Sequence, residues 1–131
     1  MIARLRKQNF AFEFFARLAL PYCGAWGENS VIIVKVTFQI PKEMDLKTLK
    51  GKFQETAPMY QDTKGLIRKN YICDLDKSIG GGIYCFESWE DADSWFDEER
   101  IRWLTNRYSK PDIEYFSNPV IVDNVSGEII D

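Results

Sequence analysis

Residues 31–40, VIIVKVTFQI, constrain the fold more than any other part of the chain. The run is rich in β-branched residues. It alternates from Lys35 on, with Val34, Val36, Phe38 and Ile40 on one side and Lys35, Thr37 and Gln39 on the other. A period of two is the mark of a strand with one buried face. Pro41 ends the strand, because proline cannot donate to a sheet ladder. The spacing then changes to that of a helix. Asp45 is placed to cap it, and Leu46, Leu49, Phe53 and Ala57 fall on one face. Gly51 weakens this helix, and Pro58 is expected to stop it.

Residues 66–75 (LIRKNYICDL) read as a second strand and residues 82–87 (GIYCFE) as a third, antiparallel to it. Residues 76–81 (DKSIGG) read as the connection, where the run Gly80, Gly81, Gly82 allows positive φ without steric cost. A phosphate-cradling loop is the sharper alternative, but no lysine or serine follows at the spacing it needs. Ser88-Trp89-Glu90-Asp91 has the pattern of a helix start. Acids crowd that start (Glu90, Asp91, Asp93) and bases crowd the end (Arg100, Arg102, Arg107, Lys110), which complements the helix dipole. Trp89, Ala92, Phe96 and Trp103 share a face, whereas Trp95 and Ile101 fall off it, which predicts a break near Asp97. Pro111 terminates the segment, and residues 113–122 read as a last strand bent at Pro119.

The order strand, helix, strand, strand, helix, strand predicts an α+β fold. Specifically, it is a ferredoxin-like βαββαβ subunit with a four-stranded antiparallel sheet and its helices on one face. The other face carries Lys35, Thr37 and Gln39 among apolar neighbours. A half-apolar second face in a small domain calls for a partner, most simply a second copy of the chain.

Composition narrows the function classes. At 131 residues, with 45% hydrophobic and 28% charged side chains, the chain suits one globular domain. Residues 1–30 carry a net charge of +2 and residues 31–131 a net of −5. The charge divides the chain into an extension, expected to be partly helical, and a domain over 31–131. The overall net charge of −3 leaves no nucleic-acid footprint. With no histidine, serine or cysteine triads and histidine-ligated metals are excluded. Cys23, Cys73 and Cys85 are too few and too scattered for a zinc site or a disulfide scaffold. No metal, flavin or other cofactor is expected, and no dinucleotide-binding glycine fingerprint follows a strand.

Four stretches carry a family resemblance: residues 65–72 (GLIRKNYI), 80–88 (GGGIYCFES), 113–116 (IEYF) and 119–124 (PVIVDN). In order and spacing they resemble the YdhR-like mono-oxygenase family, over about residues 31–124. That family belongs to the dimeric α/β-barrel superfamily, which includes the antibiotic-biosynthesis monooxygenases. The resemblance implies a ferredoxin-like subunit whose sheet packs against that of a second subunit. Relatives on that fold include cofactor-free oxygenases, haem degraders, isomerases, decarboxylases and stress proteins. The haem degraders rely on an axial histidine, which this chain lacks.

The aromatic content, 15%, supplies the candidate site. Tyr60, Tyr71, Tyr84, Phe86, Trp89, Trp95 and Trp103 are candidate walls of a pocket for a small planar apolar molecule. The competing reading is that they fill the core and a dimer seam. Arg68 and Lys69 sit mid-strand on opposite faces and, with Tyr71, are the candidate catalytic groups. Either cation could hold an anionic oxygen of a phenol or enol, or pair with Asp74, Glu87 or Glu114. A cofactor-independent mono-oxygenase needs only deprotonation, orientation and a dry cavity, because an electron-rich anion can itself pass an electron to O₂. The alternative is a non-catalytic binding or stress-related dimer, toward which the missing histidine leans. Cys73 and Cys85 lie equally far from Ile79, so a symmetric hairpin places them opposite each other.

Residues 1–30 begin basic and continue through an apolar stretch like a signal peptide, but Glu13 and Arg17 interrupt it. Residues 10–20 are expected to dock as a helix on the domain or a partner, with a membrane-surface anchor as the alternative. The chain is expected to be cytoplasmic and not to span a membrane.

Overall fold

The computed structural model describes residues 31–131, so the extension expected over residues 1–30 lies outside the described residues. Strand β1 (Val31–Gln39) is followed by helix α1 (Leu46–Gln61), strands β2 (Leu66–Asp74) and β3 (Ile79–Phe86), and helices α2 (Trp89–Trp95) and α3 (Glu98–Arg107). Strand β4 (Asp112–Asn118) completes a four-stranded antiparallel sheet in the order β2-β3-β1-β4. This is the expected ferredoxin-like arrangement. The most apolar strand, β1, lies inside the sheet between β3 and β4, where both its edges are paired.

The alternation in β1 survives intact. Val34, Val36 and Phe38 are buried beside Leu49 and Phe53 of α1, whereas Lys35 and Gln39 are exposed on the open face. The three helix starts are each capped by a side chain. Asp45 Oδ1 accepts from the Thr48 N–H at 2.8 Å, Ser88 Oγ from the Asp91 N–H at 3.1 Å, and Asp97 Oδ1 from the Arg100 N–H at 2.8 Å. Asp97 is therefore the expected break, and Trp103 stands on a different helix from Trp89 and Phe96.

Four local expectations are corrected. Pro58 does not stop α1, which runs on to Gln61. An interior proline costs about 3 kcal/mol of helix, and burial of Tyr60 in the core one half-turn later offsets it. Leu46, at the start of the same helix, is 57% exposed and contributes nothing to the core. The glycine run does not form the turn. It lies inside β3, and Ser78, at φ 55°, supplies the left-handed residue instead. The last segment is not one bent strand. It breaks after Asn118, and β5 (Ile121–Asp123) pairs with β6 (Glu128–Ile130) as a separate hairpin.

The hairpin register also corrects the cysteine pairing. Cys73 stands opposite Gly80 and Cys85 opposite Arg68. Because the turn is four residues rather than symmetric about Ile79, the two cysteines fall on opposite faces of the sheet and cannot bond to each other.

Candidate functional site

Lys69 is on the helix-facing side of β2, in register with Tyr84 on β3. Its ammonium-bearing end enters a cage of three rings. Nζ lies 3.5 Å from the Tyr60 ring centroid, 3.8 Å from that of Tyr71 and 4.6 Å from that of Tyr84. The period of two explains two of these neighbours: Tyr71 follows Lys69 by two residues on one face, and Tyr84 is directly across the ladder. Tyr60 arrives from the last turn of α1, the turn that continues past Pro58.

Gly82 leaves space beside this cage, and no positive φ is involved. A Cβ on Gly82 would lie 3.0 Å from Cε of Lys69 and 3.2 Å from the Tyr84 ring. Gly82→Ala is therefore expected to displace Lys69 and cost about 1–3 kcal/mol. A urea unfolding curve superimposing on wild type would remove this packing role.

The cage is held from behind. Tyr71 shares a 2.7 Å hydrogen bond with the Thr56 hydroxyl and stacks on Phe53 at 4.6 Å. The Tyr60 and Tyr84 hydroxyls are 3.4 Å apart. Burial raises the pKa of all three phenols, that of Tyr71 to about 12, so they remain protonated donors near neutral pH.

Burial has the opposite effect on the amine. It pulls the pKa of Lys69 from 10.5 to about 6, assisted by the positive charge of Arg100 on α3. Among the described residues no carboxylate forms an ion pair with it. Ring faces this close favour the ammonium, each by about 2 kcal/mol or more when desolvated. The fall to about 6 corresponds to roughly 6 kcal/mol. Desolvation by burial is a larger influence on the amine than the charge of Arg100, and it disfavours the ammonium near neutral pH.

Two spaces meet at Lys69. Inside, between the cage, Phe38, Phe53 and Leu104, about 10 Å³ is free, room for no more than one water. Outside, an open cleft of about 290 Å³ is lined by Ala57, Tyr60, Gln61, Leu66, Ile67, Arg68, Lys69 and Tyr71. That volume is at the lower end for small-molecule sites.

The other candidate residues divide. Trp95 meets Tyr60 edge-on at 5.4 Å, and its buried indole N–H has no acceptor among the described residues. The Arg100 guanidinium lies 3.9 Å from the Trp95 ring and 5.2 Å from that of Trp103, in a separate cleft that also includes Asp97 and Glu99. Trp103 reaches the inner space from that side. Phe86 is stacked behind Tyr84 and fully buried, so it is core. Trp89 packs on Tyr115 at 4.9 Å. Arg68 is on the open face opposite Cys85 and exposed. Of the three carboxylates considered for Arg68 and Lys69, Glu114 pairs with Lys35 at 3.6 Å.

Thr56, Phe53, Tyr108 and Arg100 were not among the site candidates read from the sequence. Arg100 precedes Trp103 by three residues, a helical neighbour spacing that was available as a signal. The others reach the site only through packing of α1 and the segment after α3 against the sheet. Among the described residues, no cluster of His, Cys, Asp or Glu is grouped to hold a metal ion, and no helix is long and apolar enough to cross a membrane.

No protein-family model and no curated protein matches the sequence. Solved structures match in fold. A protein of unknown function from Nitrosomonas europaea is 11% identical, with a TM-score of 0.53, over 70% of this chain and 91% of that one. SnoaB, a cofactor-independent oxygenase from Streptomyces nogalater, is 12% identical, with a TM-score of 0.50, over 66% of this chain and 91% of that one. A protein of unknown function and possible oxidoreductase from Bacteroides thetaiotaomicron is 12% identical, with a TM-score of 0.51, over 68% and 98%. At these identities the likeness is one of fold.

Proposed function

We propose that this chain binds a small, planar, apolar molecule in the cleft over Lys69 and acts on it as a cofactor-independent mono-oxygenase. The observation that carries this reading is a lysine amine walled by three tyrosine rings, on a side chain that lines an open cleft. The shared fold with SnoaB and the YdhR-like resemblance of the sequence support it.

In this reading the Lys69 amine takes a proton from an enol or polyphenol. A base of pKa about 6 is matched to a substrate whose acidity approaches neutrality in the site. The ring faces then receive the ammonium formed, where cation–π attraction is strongest. The resulting anion is electron-rich and transfers an electron to O₂; the radical and superoxide combine to a peroxide, which regains the proton from Lys69 and loses one water to leave a carbonyl. Tyr71, held by Thr56, orients the substrate.

Oxygen uptake with a polyphenol such as 1,8-dihydroxynaphthalene, together with quenching of tyrosine and tryptophan fluorescence that is lost in Lys69→Met, tests both parts. Uptake above the uncatalysed rate, lost in Lys69→Met, supports oxygenation. Quenching without uptake favours the second reading, a non-catalytic binding module. The missing histidine and the nearly filled interior of the cage favour that alternative. Neither signal would leave the aromatic set as core.

We also propose that the working form is a homodimer. Across the open sheet face, Phe116, Ile33 and Cys85 form one row and Ile83 lies in the next. Phe116 is 47% exposed, and the neighbouring hairpin exposes Val122 and Ile129. Such a surface suits burial against a second copy. Sedimentation at micromolar concentration is expected to show a dimer, and a monomer there would overturn the pairing.

A further inference from the structure

Lys69 differs from the other described lysines in one respect that deprotonation does not use. It is an unpaired amine, with its Nζ between ring faces and its side chain bordering a cleft that a single-ring molecule can enter. We infer that Lys69 is a nucleophile that condenses reversibly with an apolar aldehyde, most simply an aromatic one, to form an imine in this cleft. The inference shares Lys69 with the mono-oxygenase reading but depends on neither O₂ nor an acidic substrate.

The step balances without any other reactant. The nitrogen lone pair attacks the carbonyl carbon, and the C=O π pair moves to oxygen. A proton passes from nitrogen to that oxygen, giving a carbinolamine. The carbinolamine then loses one water as the C=N bond forms. No electrons are gained or lost overall. Attack requires the free amine, and burial supplies it, because desolvation by the surrounding rings and the charge of Arg100 both disfavour the ammonium. Among the described residues, the titratable groups that bear on Lys69 are the phenols of Tyr60 on α1, Tyr71 on β2 and Tyr84 on β3, all held protonated, and Arg100 on α3. None is an anion that would return the amine to its charged form. Ala57, Leu66 and Ile67 offer apolar contacts for the ring of the aldehyde, beside the polar Gln61 and Arg68 of the same cleft.

The test is carried out on the full chain with benzaldehyde and sodium cyanoborohydride, which reduces an imine to a stable benzyl amine. Peptide mapping then compares Lys69 with the exposed Lys42. At pH 7 an ordinary lysine has roughly 0.04% of its amine free. Lys69 is expected to be benzylated at least about tenfold faster than Lys42, with the advantage shrinking as the pH approaches 10 and exposed lysines deprotonate. Equal or slower labelling of Lys69 at pH 7 overturns the inference. The outcome is separable from that of oxygenation. Selective labelling without oxygen uptake removes the oxygenase reading and leaves the nucleophile. Uptake without selective labelling does the reverse.

Discussion

Lys69→Met is expected to stabilise the folded chain at pH 7 by on the order of 2–4 kcal/mol. Methionine keeps the stem and removes the amine, whose burial penalises its charged form. The sign follows from where each state binds a proton. The unfolded lysine is protonated below about 10.4, and the folded one only below about 6. Between those values the unfolded state holds one more proton. Wild-type stability therefore rises with pH in that window, by up to about 1.4 kcal/mol per pH unit from this group, and is lost as the pH falls toward 6. Below 6 both states are protonated and the slope vanishes. Urea unfolding of wild type and variant at intervals from about pH 6 to pH 9 measures this directly. The advantage of the variant should be largest at the acid end and shrink as the pH rises. A difference between the two proteins that does not change with pH would mean that Lys69 stays charged in the fold. The base and nucleophile readings would then fail together.

Phe86→Ala is expected to cost about 3–5 kcal/mol, the range for deleting a fully buried aromatic ring. Phe86 is 0% exposed, in register with Ile32 and Leu66 on the adjacent strands, with the Tyr84 and Phe96 rings within 6.3 Å. For a domain of about 100 residues each kcal/mol lowers Tm by roughly 4–8 °C, so the variant should melt far below wild type. Trp95→Ala is the informative contrast. Trp95 is partly exposed, and its removal also eliminates a buried N–H that has no acceptor among the described residues. It should cost less than half as much, about 1–2 kcal/mol, because an orphaned donor is itself destabilising. Trp103, the third large ring, is also half-buried and is not a suitable core control. Equal losses for Phe86→Ala and Trp95→Ala would place Trp95 in the core and remove it from the ligand-facing set.

The order and type of the elements were legible because they rest on local physics. A β-branched run of period two, a proline that cannot donate, and three acceptor side chains at helix starts act within a few residues of one another. Asp97 is the clearest instance: the displacement of Trp95 and Ile101 from the shared face announced the break it caps. Pro58 shows where local reasoning stops. By propensity it ends the helix, but Tyr60 has a place in the core, and only the packed sheet reveals that gain. The glycine run is similar. In isolation it reads as a turn, whereas the register sets Gly82 beside the side chain of Lys69, where a methyl group has no room.

The candidate site divides along the same line. Alternation along β2 is enough to put Lys69 and Tyr71 on one face of the strand. That Tyr60 and Tyr84 complete the cage, and that Arg100 rather than a carboxylate bears on the amine, depends on which turn of α1 and which row of the ladder meet there. Those are long-range contacts, and they decided what the sequence left open between Arg68 and Lys69. Neighbours in the chain, one cation faces open water and the other is desolvated among aromatic rings, and this difference in solvation makes Lys69 the chemically distinct amine.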